Sequence, residues 1–297
     1  MPRLIVICGP TASGKTALAI RLAQALKTHI LSCDSRQFYR ELNIGVARPS
    51  ADELAAAPHH FIANRSVTQP YNVSSYEQEA LSTLEQLFAS HDSVIAVGGS
   101  GLYIDALCNG VALLPDPSDE LRAELKEHYA KEDIGYFQSL LKRLDPDYYA
   151  VVDQNNPIRL QRALEVCITT GRPYSVILQE QQQPQPRPFD IVRVAIDADR
   201  SWLRERIDRR VEEMIANGLV EECRSLLPYR HLNTLNTVGY KELFAFIDQR
   251  CTLEEAVEQI KLNTWHYAKK QFTWLRRYND LQWIQPNDET ILQRLTG

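Results

Sequence analysis

The chain has 297 residues, 44% of them hydrophobic and 24% charged, with a formal net charge of −5. That balance suits a soluble globular protein with a main body and one inserted or appended piece, and bulk charge gives no sign of a strongly basic nucleic-acid binder. Six cysteines without a C-x-x-C pair and seven histidines without H-E-x-x-H spacing exclude a recognisable zinc motif. Buried thiols in a reducing cytoplasm are therefore expected, with no secretory leader and no membrane span.

Residues 4–8, LIVIC, read as a short buried strand that breaks at Gly9, and residues 9–16, GPTASGKT, fill every position of the phosphate-loop pattern. Glycines let such a loop turn tightly enough for several N–H groups to face phosphate oxygens. A helix opening at Lys15 adds its positive N-terminal end, Lys15 a mobile cation and Thr16 a hydroxyl for Mg²⁺. The loop binds a polyphosphate group without saying which. A second strand over 29–33 ends at Asp34, the place where open α/β sheets gather ligands, although an aspartate there also suits a helix N-cap. Residues 44–66, with Pro49 and Pro58, are expected to form loops. Ser75 and Gln78 read as a capping box for a helix lined by Ala80, Leu81, Leu84, Leu87 and Phe88. Residues 94–97 form a buried strand running into a glycine cluster at 98–101. A nucleotide-hydrolysing enzyme commonly ends such a strand in an Mg²⁺-holding aspartate; here glycines stand instead.

From Asp116 the character changes. Charged, moderately amphipathic helices are expected over 118–132 and 134–144, and Asn155-Asn156-Pro157 opens a helix over 158–170 that stops at Gly171. The low-complexity stretch QEQQQPQPRP at 179–188 suits a linker. Residues 116–188 thus read as a helical insertion domain, with 1–115 and 189–297 forming a catalytic core. The fold class is α/β, a P-loop NTPase-like parallel sheet with flanking helices. The sheet resumes at 191–196. A helix over 202–217 places Leu203, Ile207, Val211 and Met214 within about 40° of one line, with Arg210 about 60° off, able to turn into a cleft or to form a surface ion pair. Residues 200–210 hold five arginines against two acids. In the last long helix, 253–278, the core stripe is Val257, Ile260, Thr264, Tyr267, Gln271 and Trp274. Trp265, Phe272, Lys269 and Arg276 fall opposite, a pattern that suits either base stacking with phosphate contact or burial against another element. Residues 281–284 suggest a final strand, followed by a tail.

Taken in order, GPTASGKT (9–16), DSRQFYRELNIGVARP (34–49), PHH (58–60), VGGSGLY (97–103), NNPIRLQRALEV (155–166), VGYKE (238–242) and AKKQFTWLR (268–276) resemble the bacterial tRNA dimethylallyltransferases, also called tRNA isopentenyltransferases or the IPP transferase family. Val46 and Arg48 stand where Thr and Lys are common, Ser100 replaces a Thr, and Trp265 and Lys270 occupy positions often held by Arg. The tail leaves no room for a C-terminal zinc module. The resemblance implies transfer of a dimethylallyl group from dimethylallyl diphosphate to N6 of the adenosine just 3′ of a tRNA anticodon. In that reading Gly9, Pro10, Thr11, Ala12, Ser13, Gly14, Lys15 and Thr16 cradle the diphosphate, Ser100 donates a further hydrogen bond, and Mg²⁺ is held partly by Thr16. Arg210 stabilises the departing charge, Asp34 takes the proton, and Thr11 orients Asp34. On the tRNA side stand Asp34, Ser35, Arg36 and Gln37, with Gln37 reading the adenine edge. Arg122, Ile158, Arg159, Leu160, Gln161 and Arg162 grip the anticodon stem-loop, and Lys269 and Arg276 touch phosphate. Arg162 has an alternative partner in Glu165 one turn on. A cytoplasmic monomer with no membrane partner is expected. Three rivals share the phosphate loop: a P-loop kinase of a small molecule using ATP, an alkyltransferase acting on free adenine nucleotides, and an RNA-binding regulator. The kinase leaves Asp34 and the glycine-ended strand unexplained.

Overall fold

A computed structural model of the chain describes residues 1–112, 114–181, 185–286, 288 and 290–296. Leu113 of the expected core, Gln182, Gln183 and Pro184 of the low-complexity stretch, and Asn287, Glu289 and Gly297 of the expected tail lie outside them. The chain divides into two units, residues 1–109 with 187–297, and residues 110–186.

In the first unit, β1 (Arg3–Cys8) is buried from Leu4 onward, as an apolar run at the centre of a parallel sheet requires. The phosphate loop follows, and Gly14, at φ 95°, opens α1 (Lys15–Leu26). β2 (Ile30–Ser32) comes next. Where only loops are expected, α2 (Ala51–Ala56) forms on a Ser50–Glu53 capping box and β3 (His59–His60) pairs with β2. Elements of six and two residues are too short for a period to show. α3 (Val73–Phe88) is capped by Asn72, whose side chain accepts the Ser75 N–H. Ser75 therefore sits inside the first turn and not at the cap. β4 (Ser93–Gly98) leads into α4 (Gly101–Asn109).

The second unit is helical. Ser118 caps α5 (Asp119–Leu144), which breaks at Asp133 (φ 60°) where the sequence divides two helices. α6 (Pro146–Val151), α7 (Pro157–Thr170, ended by Gly171 at φ 67°) and α8 (Tyr174–Glu180) follow. Its core gathers Leu125, Phe137, Leu141, Leu160, Ala163 and Leu164.

Back in the first unit come β5 (Asp190–Ile196), α9 (Arg200–Ala216), α10 (Leu219–Ser225), α11 (Tyr240–Ile247), α12 (Leu253–Leu275), β6 (Gln282–Ile284) and α13 (Thr290–Thr296). The expected tail is partly a helix, because Ile291 and Leu295 bury themselves in the cluster around α1. All strands run parallel in the order β3-β2-β4-β1-β5-β6. The expected core stripe of α12 holds at Ile260 and Gln271, yet Ala256, Ala268 and Leu275 are buried as well. This helix packs against α4, α9 and α11, so no single stripe describes it. No described helix is long and apolar enough to cross a membrane, and all six cysteines are free thiols.

Candidate active site

Register decides where the chemistry-bearing residues meet. Cys8 pairs with Gly98 across β1 and β4, and Ser32 pairs with Val97 across β2 and β4. The phosphate loop, Asp34 and the glycines after β4 therefore leave the sheet at one level and one edge, as ligand crevices of open parallel sheets do. The glycine ending of β4 has a steric cause: a Cβ on Gly98 would lie 2.6 Å from the Cys33 carbonyl carbon. That close approach leaves no room for an aspartate side chain.

These ends open on a cavity of about 500 Å³ lined by Thr11, Ala12, Ser13, Gly14, Lys15 and Thr16 on one side and Asp34, Ser35, Arg36 and Gln37 on another. Gly9 and Pro10 do not line it. Gly9 backs onto Ile196 and onto a second, mainly apolar cavity of about 110 Å³, and Pro10 presents its carbonyl to Lys15 Nζ at 2.6 Å. Arg206 and Arg210 of α9 complete the polar wall. Burial, with Arg210 close by, pulls the Lys15 ammonium down to about 8, and burial together with Arg206 lowers the Arg210 guanidinium. Ser13 Oγ is buried without a hydrogen-bond partner among the described residues. Crowded cations beside an orphaned buried donor are the electrostatic imprint of a polyanion site. Arg206, which also donates to the Ala12 carbonyl at 2.7 Å, is a site residue that a charge count over 200–210 cannot separate from its four neighbours.

Asp34 faces the same cavity. Its Oδ1 accepts the Arg36 N–H at 2.9 Å, so it closes a local turn, while Oδ2 makes no hydrogen bond among the described residues. The expected Thr11–Asp34 bond is not made. Thr11 Oγ1 lies instead 3.5 Å from Arg210 Nη1, and the Thr11 N–H donates to Gln271 Oε1. Ser100 is also placed differently: its hydroxyl accepts the Ser35 N–H at 3.1 Å and donates to Ser35 Oγ at 3.3 Å. It braces the loop after Asp34 and does not line the cavity. Both ends of the Gln37 amide are engaged, Oε1 by Ser32 Oγ and Nε2 by the Val46 and Ala47 carbonyls. As folded, Gln37 holds the loop at 44–47, which forms a cavity wall. That loop is clamped from behind by Glu222, whose carboxylate accepts the Ile44 and Gly45 N–H groups and the Tyr240 hydroxyl. A Cβ on Gly45 would sit 2.6 Å from the Tyr240 ring. Nothing in the local sequence around Glu222 announces this clamp.

On α12, Trp265 and Phe272 are half-buried. They pack with Ala268 against Leu203 and Ile207, because α9 covers that side of the helix. Lys269 and Arg276 are exposed, and Lys269 Nζ sits 5.9 Å over the Trp265 ring. The aromatic that lines the cavity is Tyr267, 42% exposed. In the second unit, Ile158 is 74% exposed and Arg159 lies beside it on the surface. Leu160, fully buried in that unit's core, cannot touch a partner with its side chain. Helical rotation forces this: a residue two positions from Ile158 points to the opposite side. Arg162 pairs with Glu165 at 3.3 Å, Gln161 donates to the same carboxylate, and Arg122 lies near Asp116 and Asp119. Burial pushes the Cys8 and Cys33 thiols up to about 12, so neither serves as a nucleophile.

A family model described as IPP transferase matches residues 37–278. Similar curated proteins include tRNA dimethylallyltransferase 1 of Bacteroides thetaiotaomicron, 45% identical over 99% of this chain and 96% of its own length. The tRNA dimethylallyltransferase of Christiangramia forsetii is 47% identical over 95% of this chain and 93% of its own. Among solved structures, the full-length tRNA isopentenylpyrophosphate transferase of Bacillus halodurans superposes with a TM-score of 0.73 at 29% identity, covering 100% of this chain and 95% of that one. A eukaryotic dimethylallyltransferase acting on tRNA gives 0.83 at 25% identity, covering 99% and 78%.

Proposed function

The chain belongs to the IPP transferase family, and from that premise we propose that it transfers a dimethylallyl group from dimethylallyl diphosphate to N6 of the adenosine just 3′ of a tRNA anticodon. The observation that carries this reading is the shared cavity: a cationic phosphate cradle and an aspartate with one oxygen unpaired among the described residues face the same 500 Å³ space. A phosphate loop alone serves many reactions. A carboxylate opposite it, on a sheet whose neighbouring strand ends in glycine, suits removal of a proton from an attacking nitrogen.

In the reaction the N6 lone pair attacks the allylic carbon, the carbon–oxygen bond breaks, and diphosphate leaves with the bonding electrons. The N6 proton passes to Asp34. The loop amides, Lys15, Arg206 and Arg210 stabilise the charge growing on the leaving group. Thr16, which lines the cavity, would hold Mg²⁺ through its hydroxyl, a hard-oxygen donor that suits this ion. When bound, the ion supplies further neutralisation of the diphosphate. The apolar cavity behind Gly99, about 110 Å³, is comparable in scale to the ~150 Å³ engineered cavity that takes up benzene, and a five-carbon group suits it. Ile158, Arg159, Lys269 and Arg276 supply contacts to the tRNA. A nucleobase must leave its stack to reach the cradle, at a cost of a few kcal/mol that those contacts offset.

The test incubates purified protein with Mg²⁺, dimethylallyl diphosphate and an unmodified tRNA, and reads nucleosides by mass spectrometry. N6-dimethylallyladenosine is expected. Asp34→Asn should lower kcat by roughly a hundredfold or more, the usual contribution of a general base, with tRNA affinity changed less than about tenfold. ATP turnover without alkylation would favour the kinase reading instead.

A further inference from the structure

Gln271 is a polar side chain in a core position of α12, 7% exposed. A buried amide is costly there unless both its ends are bonded, and both are. Its Oε1 accepts the Thr11 N–H at 2.8 Å, and its Nε2 donates to the Gly99 carbonyl at 2.8 Å. Thr11 belongs to the loop after β1, and Gly99 to the turn after the neighbouring strand β4. One side chain from a third element thus ties together the two loops that frame the cradle. Gly99 is fitted to it, since a Cβ there would fall on Gln271 Nε2.

Three other side chains reach the same loop, and all are cations: Lys15 Nζ on the Pro10 carbonyl, Arg206 on the Ala12 carbonyl and Arg210 on the Thr11 hydroxyl. An arriving diphosphate competes for those cations. The Gln271 amide is neutral and has no reason to follow the anion, so of the four it keeps its hold when the site is loaded. Just beyond its anchor, Ala12 stands at φ 63°, a conformation that non-glycine residues hold only when their surroundings impose it. The amide also lines both the polar and the apolar cavity.

From these contacts we infer that Gln271 is a positioning residue that keeps the phosphate loop in its anion-binding shape when diphosphate is bound. The inference rests on reading residues 9–16 as a diphosphate cradle. Its test pairs Gln271→Met, which keeps length and loses both bonds, with Gly99→Ala, which displaces the amide without altering it. Calorimetry with inorganic diphosphate and Mg²⁺ should show each variant raising Kd roughly tenfold to a hundredfold, as expected for two net hydrogen bonds at a charged site. The KM for dimethylallyl diphosphate should rise in parallel while the KM for tRNA stays within about twofold. A general loss of structure would move both. The double variant should bind no more weakly than the worse single one, because both changes break the same link. Diphosphate binding within about twofold of wild type in either folded variant, or additive losses in the double, would overturn the inference. If the wild-type protein binds diphosphate and transfers no dimethylallyl group, the proposed function fails while the calorimetric comparison still judges Gln271.

Discussion

Glu222→Gln tests whether the wall opposite the phosphate loop is held as the geometry indicates. Glu222 Oε1 accepts both the Gly45 N–H at 3.0 Å and the Tyr240 hydroxyl at 2.7 Å, and Oε2 accepts the Ile44 N–H at 2.8 Å. An amide of the same shape has one acceptor. With its oxygen in the Oε1 place, its NH₂ opposes the Ile44 N–H, orphaning one donor and weakening the other two bonds through loss of charge. Bonds to a charged acceptor are worth about 1.5–3 kcal/mol, and an orphaned buried donor costs about 1–3 kcal/mol. Because Glu222 is half-buried, a net loss of about 2–3 kcal/mol is the reasonable expectation. For a chain of this size that lowers Tm by about 4–6 °C. The loop at 44–47 also accepts both bonds from Gln37 Nε2, so kcat/KM for tRNA should fall while inorganic diphosphate binds as before. Tyr240→Phe removes one of the three donors and should cost less, and its effect should not add fully to that of Glu222→Gln. A Tm within about 1 °C of wild type, with unchanged tRNA kinetics, would refute the clamp.

Leu160→Ala empties a fully buried site in the second unit and should cost about 2–5 kcal/mol, read as earlier proteolysis of 110–186, with diphosphate binding intact. Ile158→Ala, on the exposed side of the same helix, should leave the melt within about 1 °C and weaken tRNA binding. A pH series addresses the histidine pair at the β2–β3 edge, where His29 Nδ1 and His60 Nε2 lie 2.8 Å apart. Burial lowers both imidazoles below the usual 6.5, with His91 adding to the effect on His29, and His29 and His59 to that on His60. The folded chain thus takes up these protons less readily than the unfolded one, so the associated stability is complete above about pH 6.5 and declines as pH falls below it. Tm measured from about pH 7.5 to 5 should fall more steeply in wild type than in His60→Gln; equal slopes would remove the pair from the account.

Local chemistry was readable from the chain alone wherever a residue acts through its own immediate backbone. The phosphate loop, the helix opening at Lys15, the cap at Asn156, the stop at Gly171 and the buried strand runs all depend on neighbours within a turn. Asp34 was placed at the ligand edge for the same reason, since a strand end beside a phosphate loop has few places to go. Tertiary packing settled which way each side chain points once several elements compete for it. α12 touches three other helices, so its apparently free aromatics, Trp265 and Phe272, are partly covered by α9, and Tyr267 faces the cavity. Ser100 and Gln37 carry the right functional groups, yet Ser35, 65 residues away, engages the first, and the loop at 46–47, nine to ten residues on, holds the second. Gln271, Arg206 and Glu222 acquire their roles from contacts spanning 172–260, 194 and 177–178 residues respectively. Periodicity decides what a helix buries on average; only the register of β1 against β4, and the close approach of β2 that requires Gly98, decides which atoms meet at the cradle.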